Sequence, residues 1–284
     1  MLGGNGLGGK VERKIDFMKR IALFYCLGLV FSLFAAVEIE HKKVQKNNRE
    51  YNTFRILNSA PVKNTLNYNI STYKGVKTVG DRSSASTGIG LANGWYNSGS
   101  IRIFVDGKTL NMPAKVESKK DTIIFSWDSA VLKMTFPEGS EKIYCHVSAP
   151  NAKKLKLGFL AMPGFVPKRK TEMKSYVSTS KVNHFLNEGK YKTQGESWFM
   201  LFDCESNKRG IPVVILDPKD VKFGEVTGGA KSLLIVAQFE MKKSDCRFVL
   251  MGIPSNHMDA ETLYEDLRAN GNTYLDELRN FNFK

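Results

Sequence analysis

Short apolar runs separated by polar, Gly-containing turns recur along most of this chain, and they predict strands. The clearest pair covers residues 198–203 and 211–218, two aromatic and β-branched runs flanking a polar segment that ends in Gly210. That pattern reads as two buried strands joined by a tight turn, with Pro212 near a strand start, where its missing N–H costs a sheet least. Further strand runs are read at residues 51–57, 101–105, 122–127, 130–136, 141–147, 155–162, 221–226, 232–240 and 247–253. Asp106-Gly107 is a hairpin signal, and the runs between 122 and 147 read as an antiparallel meander. Only after Asp259 does the period change: Leu263, Leu267, Tyr274, Leu275 and Leu278 recur at helical spacing. Gly271-Asn272 is expected to split this tail into two short helices. The fold class is therefore all-β, a large antiparallel β-sandwich with a short C-terminal helical tail.

The N-terminal part sets the expected compartment. Met18-Lys19-Arg20 precedes an apolar stretch over residues 21–37, and polarity returns at Glu38. A basic start, an apolar run and small residues (Ala35, Ala36) are the parts of a secretory signal. Residues 1–36 are read as leader and signal peptide, and the protein as exported. The alternative is an uncleaved membrane anchor over 21–37, at the lower length limit for a span. Residues 37–53 read as a polar, basic linker, and residues 54–284 as a single β-sandwich domain with helices from about 259.

Charge narrows the partners. The 284-residue chain carries a formal +14, which favours anionic partners such as acidic polysaccharides. Nucleic acid is not expected, since the chain is read as exported and has no recognised binding-module pattern. Beyond the leader the cysteines are Cys145, Cys204 and Cys246, which allow at most one internal disulfide; buried free thiols fit equally well. With no Cys-x-x-Cys pair, Cys/His cluster, P-loop, dinucleotide fingerprint or Gly-x-Ser-x-Gly elbow, neither a metal nor a cofactor is expected.

Candidate chemistry is sparse. His184, in a polar region read as loop, and His146, within a strand run, are the acid–base candidates; His41 and His257 are set aside as arm and helix cap. Glu188, Glu196, Asp203 and Asp217 are close in sequence, which does not fix their spacing across a cleft. The Gly/Ser/Asn-rich segment 94–100 holds adjacent aromatics, and both cannot face the same core side of a strand. Trp95 and Tyr96 are the candidate stacking residues for a sugar ring, with Asn97 and Arg102 as hydrogen-bonding partners at one end of the sandwich.

The strands at 198–203 and 211–218 in an exported all-β chain resemble the β-supersandwich domains of galactose mutarotase-like proteins, over about residues 55–254. That resemblance implies a two-sheet carbohydrate-associated protein. Epimerases of that kind use a His and a Glu, and no motif here assigns either. Jelly-roll alginate lyases are similar in their basic charge, but their Gln-Ile-His and Tyr-Phe-Lys-Ala-Gly signatures are absent. The reading carried forward is an exported glycan-binding protein, an acidic glycan included. The alternatives are a carbohydrate-active enzyme of the epimerase or polysaccharide-lyase type and a non-catalytic structural protein of the envelope.

Overall fold

The structure, a computed structural model, describes residues 37–46, 49–58, 63, 65–70, 89–96, 99–111, 113–164, 175–186, 189–203, 207–228, 234–254 and 256–283. The leader with its apolar run, Asn97, the basic stretch 168–170, Glu188 and Cys204 lie outside them. In chain order the strands are β1 (Glu38–Lys46), β2 (Arg49–Leu57), β3 (Thr65–Ile70), β4 (Ile89–Leu91), β5 (Ile101–Val105), β6 (Lys108–Thr109), β7 (Lys115–Lys119), β8 (Thr122–Ser126), β9 (Val131–Thr135) and β10 (Ile143–Ser148). There follow β11 (Leu155–Ala161), β12 (Ser175–Thr179), β13 (Asn183–Phe185), β14 (Tyr191–Lys192), β15 (Trp198–Asp203), β16 (Ile211–Leu216), β17 (Val221–Thr227), β18 (Ile235–Met241) and β19 (Asp245–Ile253). A helix, α1 (Ala260–Asn280), closes the order.

The strands build two antiparallel sheets. A ten-stranded sheet runs β1-β2-β3-β4-β5-β11-β18-β17-β14, with β6 paired to β5; a nine-stranded sheet runs β13-β12-β15-β16-β19-β10-β9-β8-β7. The expected meander is present as β8-β9-β10, and the 198–218 hairpin as β15-β16. The Asp106-Gly107 turn holds both residues at positive φ (50° and 81°), as a tight hairpin of this twist requires. Inward positions of the two sheets meet in one core. There the Phe159 ring meets Phe248 edge-on at 5.2 Å, and Phe199 is tilted against Phe239 at 5.0 Å. This is the expected all-β sandwich.

Two expectations are corrected. Residues 38–46 are no linker: they form β1 and pair with β2 along its whole length, from Glu38 opposite Leu57 to Lys46 opposite Arg49. The period-2 signal there is masked by charge. Ile39 packs against the core and the His41 ring stacks on Phe54 at 4.4 Å, while Glu38, Glu40 and Lys42 take the alternate positions. Second, the C-terminal tail is one continuous helix through Gly271. Asp259 caps its start by accepting the Thr262 N–H at 2.7 Å.

Helix α1 covers the outer face of the nine-stranded sheet. Leu263, Leu267, Leu275 and Leu278 bury themselves against Trp198, Met200, Val213, Ile215, Val249 and Met251 in a second core. The layers are thus helix, sheet, sheet. Among the described residues nothing comparable covers the outer face of the ten-stranded sheet.

Candidate functional site

Trp95 is not exposed. Its ring is 4% accessible and belongs to the intersheet core, tilted against Phe159 at 6.5 Å, and its indole N–H donates to the Met251 carbonyl at 2.9 Å. A buried ring offers no face to a sugar, so the stacking role read for Trp95 has no geometric support. The sequence argument that both aromatics cannot face inward holds in a different form. Trp95 bridges Ala161, and the next residue, Tyr96, donates its N–H to the Leu160 carbonyl at 2.9 Å and is half-buried. Ala161 is an inward residue, so alternation sets Tyr96 in register with the outward side of the ten-stranded sheet.

Arg102 lies on that side too. On β5, Ile101, Ile103 and Val105 are buried, Arg102 is exposed and Phe104 is half-buried. On β11, Leu155, Leu157, Phe159 and Ala161 enter the core, leaving Lys156, Gly158 and Leu160 on the outward side, where Lys156 is half-buried and Gly158 and Leu160 are buried. On β18, Ile235, Ala237, Phe239 and Met241 point inward, leaving Val236, Gln238 and Glu240 outward.

The strand registers order these residues into rows. One row is Arg102, Gly158, Gln238, Glu225 and Lys192, running across β5, β11, β18, β17 and β14. Beside it run Phe104, Lys156, Glu240 and Phe223. Strands are spaced by roughly 4.8 Å and alternate residues by roughly 6.8 Å, so the first row spans about 19 Å and the second lies about 7 Å away.

Two local features shape this face. Register slips between Val221 and Phe223, a bulge at Lys222 that turns Phe223 onto the outer side, where it is 47% exposed. Gly158 is buried and lets the Phe104 ring and the Arg102 stem close over β11: a Cβ added there would lie 3.4 Å from Arg102 Cβ and 3.4 Å from the Phe104 ring.

The electrostatics are cationic. Glu240 accepts from Lys154 at 2.7 Å and Lys222 at 2.8 Å, and these hydrogen bonds pull its carboxyl down to about 2, so it is ionised across the whole ordinary pH range. Lys190 approaches Glu225 at 3.5 Å, and Lys156 Nζ lies 5.9 Å from the Phe104 ring centre. Among the described residues Arg102 and Lys192 have no ion-pair partner. A face with two separated aromatic rings and surplus cations can stack sugar rings and pair with their acidic groups.

The histidine candidates lie apart from this face. His184 is in β13, a strand and not a loop; its ring contacts the Gly189 carbonyl at 3.1 Å and is tilted against Tyr191 at 5.5 Å. Tyr191 donates to the buried carboxylate of Glu196, and burial, followed by that bond, pushes its hydroxyl up to about 12. His146 pairs with both oxygens of Asp245 at 2.9 and 3.0 Å, on the nine-stranded sheet. His257 pairs with Glu141 at 3.0 Å. Among the described residues, no His/Cys/Asp/Glu group could hold a metal ion.

Of the described carboxylates near the first hairpin, Asp217 is bound by Arg279 and Asp203 is buried. Cys145 and Cys246 are free and buried, on adjacent strands, and burial raises both thiols. Phe104, Phe223, Gln238 and Glu240 were not singled out from the sequence. Phe104 was the readable one, an aromatic at the outward position of an alternating strand.

No protein-family model matches the chain, and no curated protein matches it. A solved structure of 4-alpha-glucanotransferase from Thermococcus litoralis is similar at 10% identity and a TM-score of 0.35, over 75% of this chain and 39% of that one. The chain thus spans about two fifths of the length of that carbohydrate-active enzyme.

Proposed function

We propose that this is an exported glycan-binding protein that takes an acidic oligosaccharide across the outer face of its ten-stranded sheet. The observation that carries the reading is the row Arg102–Gly158–Gln238 flanked by Phe104 and Phe223. Aromatic rings set about 14 Å apart, three strand spacings, stack separate sugar units. Arg102 and Lys156 meet carboxylate or sulfate groups, and Gln238 and Glu225 hydrogen-bond hydroxyls. Tyr96 extends the platform at the β5 end. Export goes with the apolar run at 21–37 and its basic flank.

The test is calorimetric titration with oligouronates and with neutral oligosaccharides of equal length. Oligouronates are expected to bind more tightly, with affinity falling as salt rises. Arg102→Ala and Phe223→Ala should each weaken binding about tenfold, ~1.4 kcal/mol. Binding that survives both substitutions, or none with either sugar class, sinks the proposal.

A further inference from the structure

Among the described residues the ten-stranded sheet ends in β1 and β14, and the nine-stranded sheet in β13 and β7. A sheet edge presents unpaired N–H and C=O groups to any extended chain, and proteins blunt such edges by shortening them or charging them. β14 has two residues, β13 three and β7 five, whereas β1 has nine. The long edge is therefore the one that shortness does not protect, and Glu38, Glu40, Lys42 and Val44 are exposed along it.

Its charges are not of one sign. Glu38 and Glu40 come first, Lys42 and Lys43 follow. An edge carrying only lysines repels a second copy in any alignment. An edge acidic in its first half and basic in its second is complementary to itself when the copy runs antiparallel. We propose that β1 pairs antiparallel with β1 of a second copy of this chain, about a two-fold axis passing through His41.

Register follows from the charges. With the axis at His41, Glu40 faces the partner's Lys42, and by symmetry Lys42 faces the partner's Glu40. An axis at Glu40, Lys42 or Lys43 would set a like charge opposite itself, which is unfavourable in a directly opposed cross-strand pair. Within the chain Glu40 approaches Arg55 at 3.5 Å, both side chains largely exposed, which leaves the carboxylate within reach of a second cation. One strand pair buries far less than the roughly 1,200 Å² of a stable interface, so the dimer is weak and salt-sensitive.

Sedimentation velocity of the purified chain over a rising concentration series tests this. The wild type is expected to show a dimer that grows with concentration and recedes in high salt. Glu40→Lys and Lys42→Glu should each lower association about tenfold or more, because two like-charge pairs then face each other. Mixing the two variants restores complementarity at both pairs and should recover a heterodimer. The double variant Glu40→Lys/Lys42→Glu should dimerise again. Arg55→Gln removes the in-chain partner of Glu40 without touching the edge and should dimerise like the wild type, and thermal unfolding checks that each variant is folded. A wild type that stays monomeric at every concentration overturns the proposal. So does a Glu40→Lys variant that dimerises normally, or a mixture that stays monomeric.

Discussion

Gly271 packs directly onto Trp198: a Cβ built at 271 would lie 2.6 Å from both Cδ1 and Nε1 of the indole. The glycine interrupts no helix. It lets α1 approach the nine-stranded sheet closely enough to cover Trp198, which is 2% exposed. Gly271→Ala should therefore destabilise the protein although alanine favours helix by about 1 kcal/mol. Overpacking costs roughly 1–3 kcal/mol, so a net loss of about 1 kcal/mol is expected in urea unfolding. Trp198→Phe makes room, and the double variant should lose clearly less than the sum of the two single losses.

Trp95 separates a folding role from a binding role. Its ring fills the core and its N–H is bonded, so Trp95→Ala should cost roughly 3–5 kcal/mol. Arg102→Ala, at an exposed position, should change stability by no more than about 0.5 kcal/mol. Chemical unfolding of both variants beside the titration shows whether a lost ligand reflects a lost contact or a lost fold.

Asp217 and Arg279 tie the end of β16 to the last turn of α1. Arg279 donates to both carboxylate oxygens, at 2.7 and 3.2 Å, and Asp217 also accepts the Lys219 N–H at 3.0 Å. The arginine hydrogen bond is the main cause holding Asp217 below its ordinary 3.8. A depressed carboxylate stabilises the fold above its unfolded value and loses that contribution as pH falls through the folded one. The Asp217 contribution should be whole above about pH 5 and shrink below about pH 4. Urea unfolding of wild type and Asp217→Asn should differ by roughly 0.5–1 kcal/mol at neutral pH and converge in acid. A constant gap across that range would mean that Asp217 acts by packing alone.

What could be read from the sequence was local. The meander over 122–147 and the 198–218 hairpin are contiguous pairings set by alternation and turn residues, and both were legible. β1 was not, because its outward charges dominate the composition and hide Ile39 and His41 at the inward positions. Gly271 was misread because a backbone preference says nothing of the indole packed against it. Arg102 was identifiable as a candidate from the sequence, but its row was not. Gly158 and Gln238 reach it only through pairings of β5 with β11 and β11 with β18, strands far apart in the chain. Trp95 and Tyr96 were known to point opposite ways, and only the bridge to Ala161 shows which turns inward.

Glu240 holds Lys154 and Lys222 together, so it contributes both to the net charge of the proposed binding face and to the placement of those two cations. Removing the carboxylate leaves the face more positive by one charge. If net charge governs capture of an acidic glycan, Glu240→Gln should tighten binding about two- to fivefold at low salt, and the gain should fade as salt rises. Neutral oligosaccharides should be indifferent to the change. Acid cannot mimic the substitution: with the Glu240 carboxyl down at about 2, lowering the pH to about 4 leaves it ionised, so the wild type should show no such gain there. Titration of both proteins at two salt concentrations decides between charge and order. Weaker binding of the acidic glycan by Glu240→Gln would mean that the carboxylate serves by holding the lysines in place, and that their geometry outweighs the extra charge.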